Sequence, residues 1–174
     1  MLFRSSTVDY INRVVREMRY GKNPERFIVG EKLVARKPIF EKVEAEKKGW
    51  NDYWRVLFTT SEELEISNVE IDNITIHEMG HHLAVKVYGL EVKCYSPTEN
   101  RYYSSRIAVV HEDSQKDYDN LLEKAKKHAI NSKQAINWVT FFNLQKWSAD
   151  ITYGYAITAH KSQGSTYKYV MIFE

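Results

Sequence analysis

Short β-rich runs, separated by Gly, Pro, Asn and Asp, fill the chain between Phe27 and Val110. Branched and aromatic residues favour strands, whereas the separating residues favour turns. Regularly spaced short strands of this kind predict a small all-β barrel or sandwich. The runs are Phe27–Val29, Lys32–Ala35, Trp54–Phe58, Glu65–Val69, Leu83–Tyr95 and Arg106–Val110.

Helical periodicity flanks this β-rich block on both sides. Apolar residues recur at helical spacing over residues 6–20, and Gly21 follows where a helix-ending glycine is expected. The spacing returns between Tyr118 and Ala129, and it predicts a further helix over about residues 134–147. The pattern favours an α/β domain that is interrupted by an all-β insert.

Composition excludes several classes of protein. The single cysteine, Cys94, excludes an internal disulfide framework and fits a reducing compartment. No apolar run approaches the roughly 20 residues of a membrane span, and the N-terminus lacks the layout of a signal peptide. We therefore expect a soluble, cytoplasmic protein that does not enter a membrane.

Charge is unevenly distributed, although the formal net charge is only +2. Residues 1–55 carry +5, residues 56–113 carry −6 and residues 114–174 carry +3. An acidic middle between two basic flanks indicates two surfaces with different roles, and ordinary solvated charge is the alternative.

Residues 77–81 read HEMGH, a full match to the HExxH motif of zinc peptidases. That chemistry requires two histidines one helical turn apart, a glutamate as general base and a third metal ligand. The alternating Val85–Val87 downstream favours strands instead, and neither Glu91 nor Glu99 stands in a convincing ligand context. We expect these histidines on a strand end or loop, without catalytic zinc. A zinc-dependent metallopeptidase is kept as an alternative function.

A polar loop, AHKSQGST at residues 159–166, follows the apolar run at residues 153–157. Lys161 supplies a positive charge, the hydroxyl groups supply donors, and Gly164 lets a backbone N–H approach an anion closely. This set predicts contact with phosphates and does not require that bases be read. A merely polar connection is the alternative.

The sequence YGYAITAHKSQGSTY at residues 153–167 closely resembles motif V of superfamily 1 DNA helicases of the RecD/Pif-like branch. LFRSSTVDYINRVVR at residues 2–16 is similar to the motif IV region of that family. FIVGEKLV at residues 27–34 and TTSEELEI at residues 59–66 resemble the small barrel, of the Src-homology-3 type, that is inserted in its second motor domain. The resemblance covers most of the chain and is weakest over residues 72–105.

The resemblance implies an α/β fold: a partial RecA-like domain with a parallel sheet, interrupted by an all-β small-barrel insertion. Residues 1–26 are then the first part of the motor domain with motif IV. Residues 27–112 are the barrel, and residues 113–174 are the second part with motif V. The basic flanks form the motor domain near DNA, and the acidic barrel could meet a protein partner.

The resemblance also implies the activity of the complete protein. It is expected to be an ATP-dependent DNA helicase of DNA repair or recombination, an ATP hydrolase that uses ATP and magnesium and moves 5′→3′ on single-stranded DNA. Its other partner is the N-terminal RecA-like domain of the same protein. The residues implied in DNA binding are Thr158, His160, Lys161, Ser162, Arg4 and Asn12. Those implied in coupling to the nucleotide are Gln163, Gly164, Ser165 and Arg16.

Two motifs of the helicase family are absent from these 174 residues. No GxxxxGK[ST] sequence is present to cradle phosphates, and no acidic Walker-B strand is evident to hold magnesium. The sequence therefore predicts a C-terminal motor fragment with no catalytic residues, no metal site and no ATPase activity of its own. A stand-alone module that binds nucleic acid or protein is the remaining alternative.

Overall fold

Antiparallel strands and three helices make up the described structure. The computed structural model describes residues 5–44, 52–78, 80–96 and 99–158. Its elements in chain order are α1 (Ser5–Tyr20), β1 (Lys32–Ala35), β2 (Ile39–Val43), β3 (Tyr53–Phe58), β4 (Glu63–Glu78), β5 (His81–Ser96), β6 (Arg101–Val110), α2 (Glu112–Ser132), α3 (Ala135–Gln145) and β7 (Ile151–Tyr153).

Five of the described strands form one sheet in the order β6-β5-β4-β1-β7, and β2 pairs with β3 in a separate two-stranded sheet. β4 and β5 form a long hairpin, whose register runs from Glu65 opposite Lys93 to Glu78 opposite His81. Side chains of a strand alternate between two faces, so an apolar residue at every second position buries one face only. In β5 the buried face changes along the strand, because Val85 and Val87 are buried on one face whereas Leu90, Val92 and Cys94 are buried on the other.

The predicted parallel, RecA-like sheet is wrong. Every strand pair in the described part of the chain is antiparallel. β7, which precedes the polar loop, pairs with β1 of the β-rich block, with Leu33 opposite Tyr153. Periodicity gives the type of an element but not the direction of its neighbours. Here α2 and α3 pack on one side of the β4–β5 hairpin instead of crossing between parallel strands.

The predicted helices are confirmed as α1, α2 and α3, and the predicted strands are confirmed except for Phe27–Val29. There the chain turns, because Gly30 has a φ of +87° and the Glu31 N–H donates to the Ile28 carbonyl at 3.1 Å. No helix within the described ranges is long and apolar enough to cross a membrane. The division of the chain at residues 26 and 112 stays a prediction.

Two clusters of buried residues lie along the β4–β5 hairpin. The first fills the barrel near the start of β4, and the second lies between the turn half of the hairpin and helices α2 and α3. The Tyr118 hydroxyl ties the helices together by donating to the Leu144 carbonyl at 2.7 Å. The first cluster includes Leu33, Leu64, Ile66, Leu90 and Val92, and the second includes Ile76, Val85, Val87, Ala125 and Leu144.

Truncating the barrel core should destabilise the protein far more than truncating the sheet surface. Leu90 is 0% exposed and Ile71 is 58% exposed. We expect Leu90→Ala to lower the free energy of unfolding by about 2–5 kcal/mol, because it leaves a cavity. Ile71→Ala, the control, should change it by no more than about 0.5 kcal/mol. Urea denaturation measures both, and equal losses would contradict the assigned core.

Candidate nucleic-acid interface

Helix α1 presents Asn12 to the segment that follows β7. Asn12 is 1% exposed. Its Nδ2 donates to the Ala156 carbonyl at 3.2 Å, and the Ala156 N–H donates to its Oδ1 at 2.8 Å. One side-chain amide therefore satisfies both backbone groups of Ala156, as a neighbouring strand would. This clamp fixes the chain two residues before Thr158.

One turn after Asn12, Arg16 forms a buried ion pair with Glu31. Its Nε lies 2.6 Å from Oε1 and its Nη2 lies 3.0 Å from Oε2, so the pair is bidentate. The Arg16 side chain is 8% exposed and the Glu31 side chain is 0% exposed. Nη2 also donates to the carbonyls of Glu25 at 2.5 Å and Arg26 at 3.2 Å. These charge-assisted bonds join α1 to the segment that enters the barrel.

Two tyrosines complete the arrangement: Tyr153 is the last residue of β7, and Tyr155 follows two residues later. The Arg16 guanidinium lies 4.0 Å from the centre of the Tyr153 ring, and the Tyr153 hydroxyl donates to the Arg26 carbonyl at 2.6 Å. The Tyr155 hydroxyl donates to Glu31 Oε1 at 3.1 Å. These contacts link α1, the barrel entry and the segment that leads to the polar loop. We define this group as the junction: Asn12, Arg16, Glu31, Tyr153 and Tyr155.

Burial and hydrogen bonding set the protonation states within the junction. Burial alone would lower the pKa of Arg16, but the hydrogen bond to Glu31 and the neighbouring groups raise it above its ordinary value. Burial raises the pKa of Tyr153. It also raises the pKa of Tyr155, where hydrogen bonds with Tyr20 and Glu31 add to the effect. Arg16 therefore stays charged and both phenols stay neutral near neutral pH.

A cleft of about 960 Å³ opens beside the junction, and α1, β1, β2, α2 and α3 contribute to its lining. Its apolar residues include Leu33, Ile39 and Ile151. Six cationic and three acidic side chains also line it. Two of the cations, Arg16 and Arg26, pair with Glu31 and Glu112 respectively.

Three of the cations that line the cleft directly follow β1 or α3 in the chain. The Asp150 carboxylate lies 3.5 Å from Arg36 Nε and 3.2 Å from Lys37 Nζ. Lys146 Nζ lies 3.0 Å from Asn143 Oδ1 and 5.1 Å from the centre of the Phe40 ring. We define Arg36, Lys37 and Lys146 as the cationic rim. Of its three positive charges, those of Arg36 and Lys37 lie next to the negative charge of Asp150.

The structure describes three of the ten site residues that the sequence predicts. Asn12 and Arg16 meet in the junction, and Thr158 follows it as a half-buried residue. Arg4 and the loop residues lie outside the described ranges, so their predicted DNA and nucleotide contacts stay predictions. Those loop residues are His160, Lys161, Ser162, Gln163, Gly164 and Ser165.

The HEMGHH sequence forms the turn end of the β4–β5 hairpin. β4 ends at Glu78, Gly80 has a φ of +85°, and β5 begins at His81. The predicted position at a strand end is therefore confirmed. His77 and His81 lie on paired strands and not one turn apart on a helix, as the zinc peptidase mechanism requires. Within the described ranges, no group of three His, Cys, Asp or Glu side chains is placed to hold a metal ion.

Residues 24–151 match the family model described as the Dda helicase SH3 domain. This match spans more than half of the chain. The chain belongs to the Dda helicase SH3 domain family. No curated protein matches it. The family confirms a helicase-related protein with a small β domain, while the narrower RecD/Pif-like assignment stays a prediction.

The match to the Dda helicase SH3 domain begins after α1 and ends at the first residue of β7. It therefore includes the barrel strands together with α2 and α3. Of the junction residues, Glu31 lies within the matched range, while Asn12, Arg16, Tyr153 and Tyr155 flank it on both sides. The junction is thus the place where the SH3 domain meets the segments that resemble motifs IV and V.

Sequence reasoning missed Glu31 and Tyr155. Glu31 is a lone acidic residue directly before the buried β1, among charges that are typical of a surface. Its position next to Gly30, between the apolar runs at residues 27–29 and 33–35, is a weak signal of a buried charge. Tyr155 lies within the segment that resembles motif V, where the polar loop carries the more obvious chemistry.

Removing one partner of the buried ion pair should destabilise the fold strongly. In Glu31→Ala the Arg16 charge stays buried without its carboxylate, so we expect a loss of about 3–5 kcal/mol in the free energy of unfolding. Glu65→Ala is a matched control, because Glu65 forms an exposed pair with the neighbouring Lys32. That variant should lose about 0–1 kcal/mol. Chemical denaturation tests this, and a Glu31→Ala variant as stable as the control would refute the structural role of the pair.

Proposed function

We propose that this chain is the SH3 domain, with its adjoining segments, of an ATP-dependent DNA helicase that moves along single-stranded DNA. In this proposal the chain binds the strand and holds the HKSQGST loop in position. The observation that carries the proposal is the junction, because it bonds the segment before the loop to both α1 and the barrel entry. The family supports the helicase context.

The junction restrains the segment directly before the loop. Both backbone groups of Ala156 are bonded to Asn12, and Tyr153 and Tyr155 are held on either side of it. Only one residue separates Ala156, which Asn12 holds, from Thr158, so the chain between them is short. Contacts with phosphates set the register and orientation of a protein on nucleic acid, which requires a fixed backbone. The restraint on the segment before the loop supports a role of the loop in contacting phosphates.

The cleft has the two kinds of surface that single-stranded DNA requires. Cations attract the phosphates, and apolar or aromatic surface accepts the bases. The cationic rim supplies the first, and Phe40 and Tyr153 are among the lining residues that supply the second. Asn12 and Arg16 also line the cleft. A strand bound in it passes beside the junction, which precedes the HKSQGST loop in the sequence.

ATP and magnesium bind elsewhere in the complete protein under this proposal. The sequence contains no GxxxxGK[ST] motif, so these residues provide no P-loop for the nucleotide phosphates. Hydrolysis then requires the N-terminal motor domain of the same protein. Gln163, Gly164 and Ser165 would pass the state of the nucleotide to the DNA-binding loop.

Removing charge from the cationic rim should weaken DNA binding in a salt-dependent way. We expect Arg36→Ala with Lys37→Ala to weaken the binding of single-stranded oligonucleotides of any sequence. The plot of the logarithm of the binding constant against the logarithm of the salt concentration has a negative slope. Its magnitude should fall by about 0.7 for each lost phosphate contact. Fluorescence anisotropy over a salt series measures this. Lys127→Ala is the control, because Lys127 is an exposed lysine of α2 paired with Glu123 at 2.7 Å. An unchanged slope in the double variant would remove the rim from the DNA path.

The loop can be tested separately from the rim. We expect His160→Ala with Lys161→Ala to weaken binding to single-stranded DNA and to flatten its salt dependence. Lys168→Ala, which removes a lysine outside the HKSQGST sequence, is the matched control. Binding equal to that of the control would show that the segment resembling motif V does not contact DNA, whatever the rim variants do.

A further inference from the structure

The two histidines that the fold brings together are not the two of the HExxH motif. In the β4–β5 hairpin His77 lies opposite His82, whereas His81 lies opposite Glu78. Residues directly opposite each other in an antiparallel pair have side chains on the same face of the sheet. The cross-strand partner of His77 is therefore His82, which stands outside HExxH.

The imidazole rings of His77 and His82 converge through the same ring nitrogen. Their Nδ1 atoms are hydrogen-bonded to each other at 2.6 Å, with the ring centres separated by 4.8 Å and the planes inclined by 75°. Both side chains are exposed, so an ion from solution can reach them. A neutral imidazole nitrogen without a proton is an electron-pair donor, and histidine is the commonest metal ligand in proteins.

We propose that His77 and His82 form a two-histidine site for a divalent transition metal such as Zn²⁺, Ni²⁺ or Cu²⁺, with water completing the coordination. Imidazole ligands suit these ions. With metal–nitrogen distances of about 2.0–2.1 Å, two nitrogens in adjacent coordination positions lie about 3.0–3.3 Å apart. The Nδ1 atoms need to separate by less than about 1 Å to reach that range, and rotation of two exposed side chains supplies it.

The hairpin holds the site in place before a metal binds. The neighbouring pair, Ile76 opposite Leu83, anchors the two strands, because Ile76 is 0% exposed and packs in the cluster formed with α2 and α3. Because the backbone is already fixed, the protein loses only the side-chain freedom of His77 and His82 when a metal binds. The entropic cost of ordering the site is therefore small. Lys42 Nζ lies 3.5 Å from the His77 carbonyl and 3.6 Å from Asp52, so this nearby cation faces the backbone and a carboxylate.

The proposed site binds an ion and performs no reaction. A metal held by His77 and His82 links β4 to β5 at the turn end of the hairpin. The expected consequence is a hairpin that opens less readily, since a ligand that binds only the folded state stabilises that state. This consequence does not depend on DNA binding by the chain.

Isothermal titration of the full chain, prepared without a histidine tag, with zinc chloride or nickel chloride alone tests the proposal. We expect one ion to bind per chain. Binding should weaken at least tenfold in His77→Ala and in His82→Ala, because even the loss of an outer-shell partner of a metal ligand costs about 10–100-fold. His128→Ala, which removes an exposed histidine of α2, should bind like the wild type. Circular dichroism confirms that each variant is folded.

Three results would overturn the site. The first is the absence of saturable binding by the wild type. The second is a His82→Ala variant that binds the ion as tightly as the wild type. The third is a loss of binding in His81→Ala while His82→Ala retains it, which would assign the ion to the HExxH pair. Imidazole ¹⁵N spectra give an independent reading, since the ion should shift the Nδ1 signals of His77 and His82.

Discussion

The buried Arg16–Glu31 ion pair is the contact on which the rest of the junction depends. Moving two charges out of water is costly, and a bidentate pair repays that cost only when the remaining donors and acceptors are also bonded. Glu31 meets this condition through the Ile28 N–H at 3.2 Å and the Tyr155 hydroxyl at 3.1 Å. Arg16 meets it through two backbone carbonyls. Such a pair adds little net stability but strongly favours one arrangement of α1, the barrel entry and the segment after β7.

The β4–β5 hairpin gives the domain its second organising constraint. A two-stranded hairpin is only marginally stable in water unless one of its faces is covered. The barrel core covers the half that contains Ile66 and Leu90, while α2 and α3 cover the half that contains Ile76 and Val85. The two helices are therefore part of the same packed unit as the SH3 domain. They also hold the turn end of the hairpin, where His77 and His82 meet.

Local periodicity predicts the elements well because it encodes which face of an element is buried. It gives α1 and the β1 strand nearly to the residue, and it places HEMGHH at a strand end. Periodicity carries no information about partners that are distant in the sequence. The antiparallel pairing of β7 with β1, and hence the absence of a parallel sheet among the described strands, could not be predicted in this way. The same holds for the site, since Glu31 reads as a surface charge until Arg16 is placed against it. The pairing of His77 with His82 depends on a register that only the folded hairpin defines.

The arrangement of the junction also indicates how the segment before the polar loop can move. Asn12 and Arg16 are buried against Ala156, Glu31 and Tyr153, so they hold the segment that precedes the loop in the sequence. Moving that segment alone breaks the clamp on Ala156 and takes Tyr155 away from the buried carboxylate. Separating the ion pair itself would cost about 3–5 kcal/mol. Moving α1, the barrel entry and the segment together leaves every one of these bonds intact. Rigid motion of the whole junction is therefore less costly, and the segment up to Thr158 changes position together with the SH3 domain.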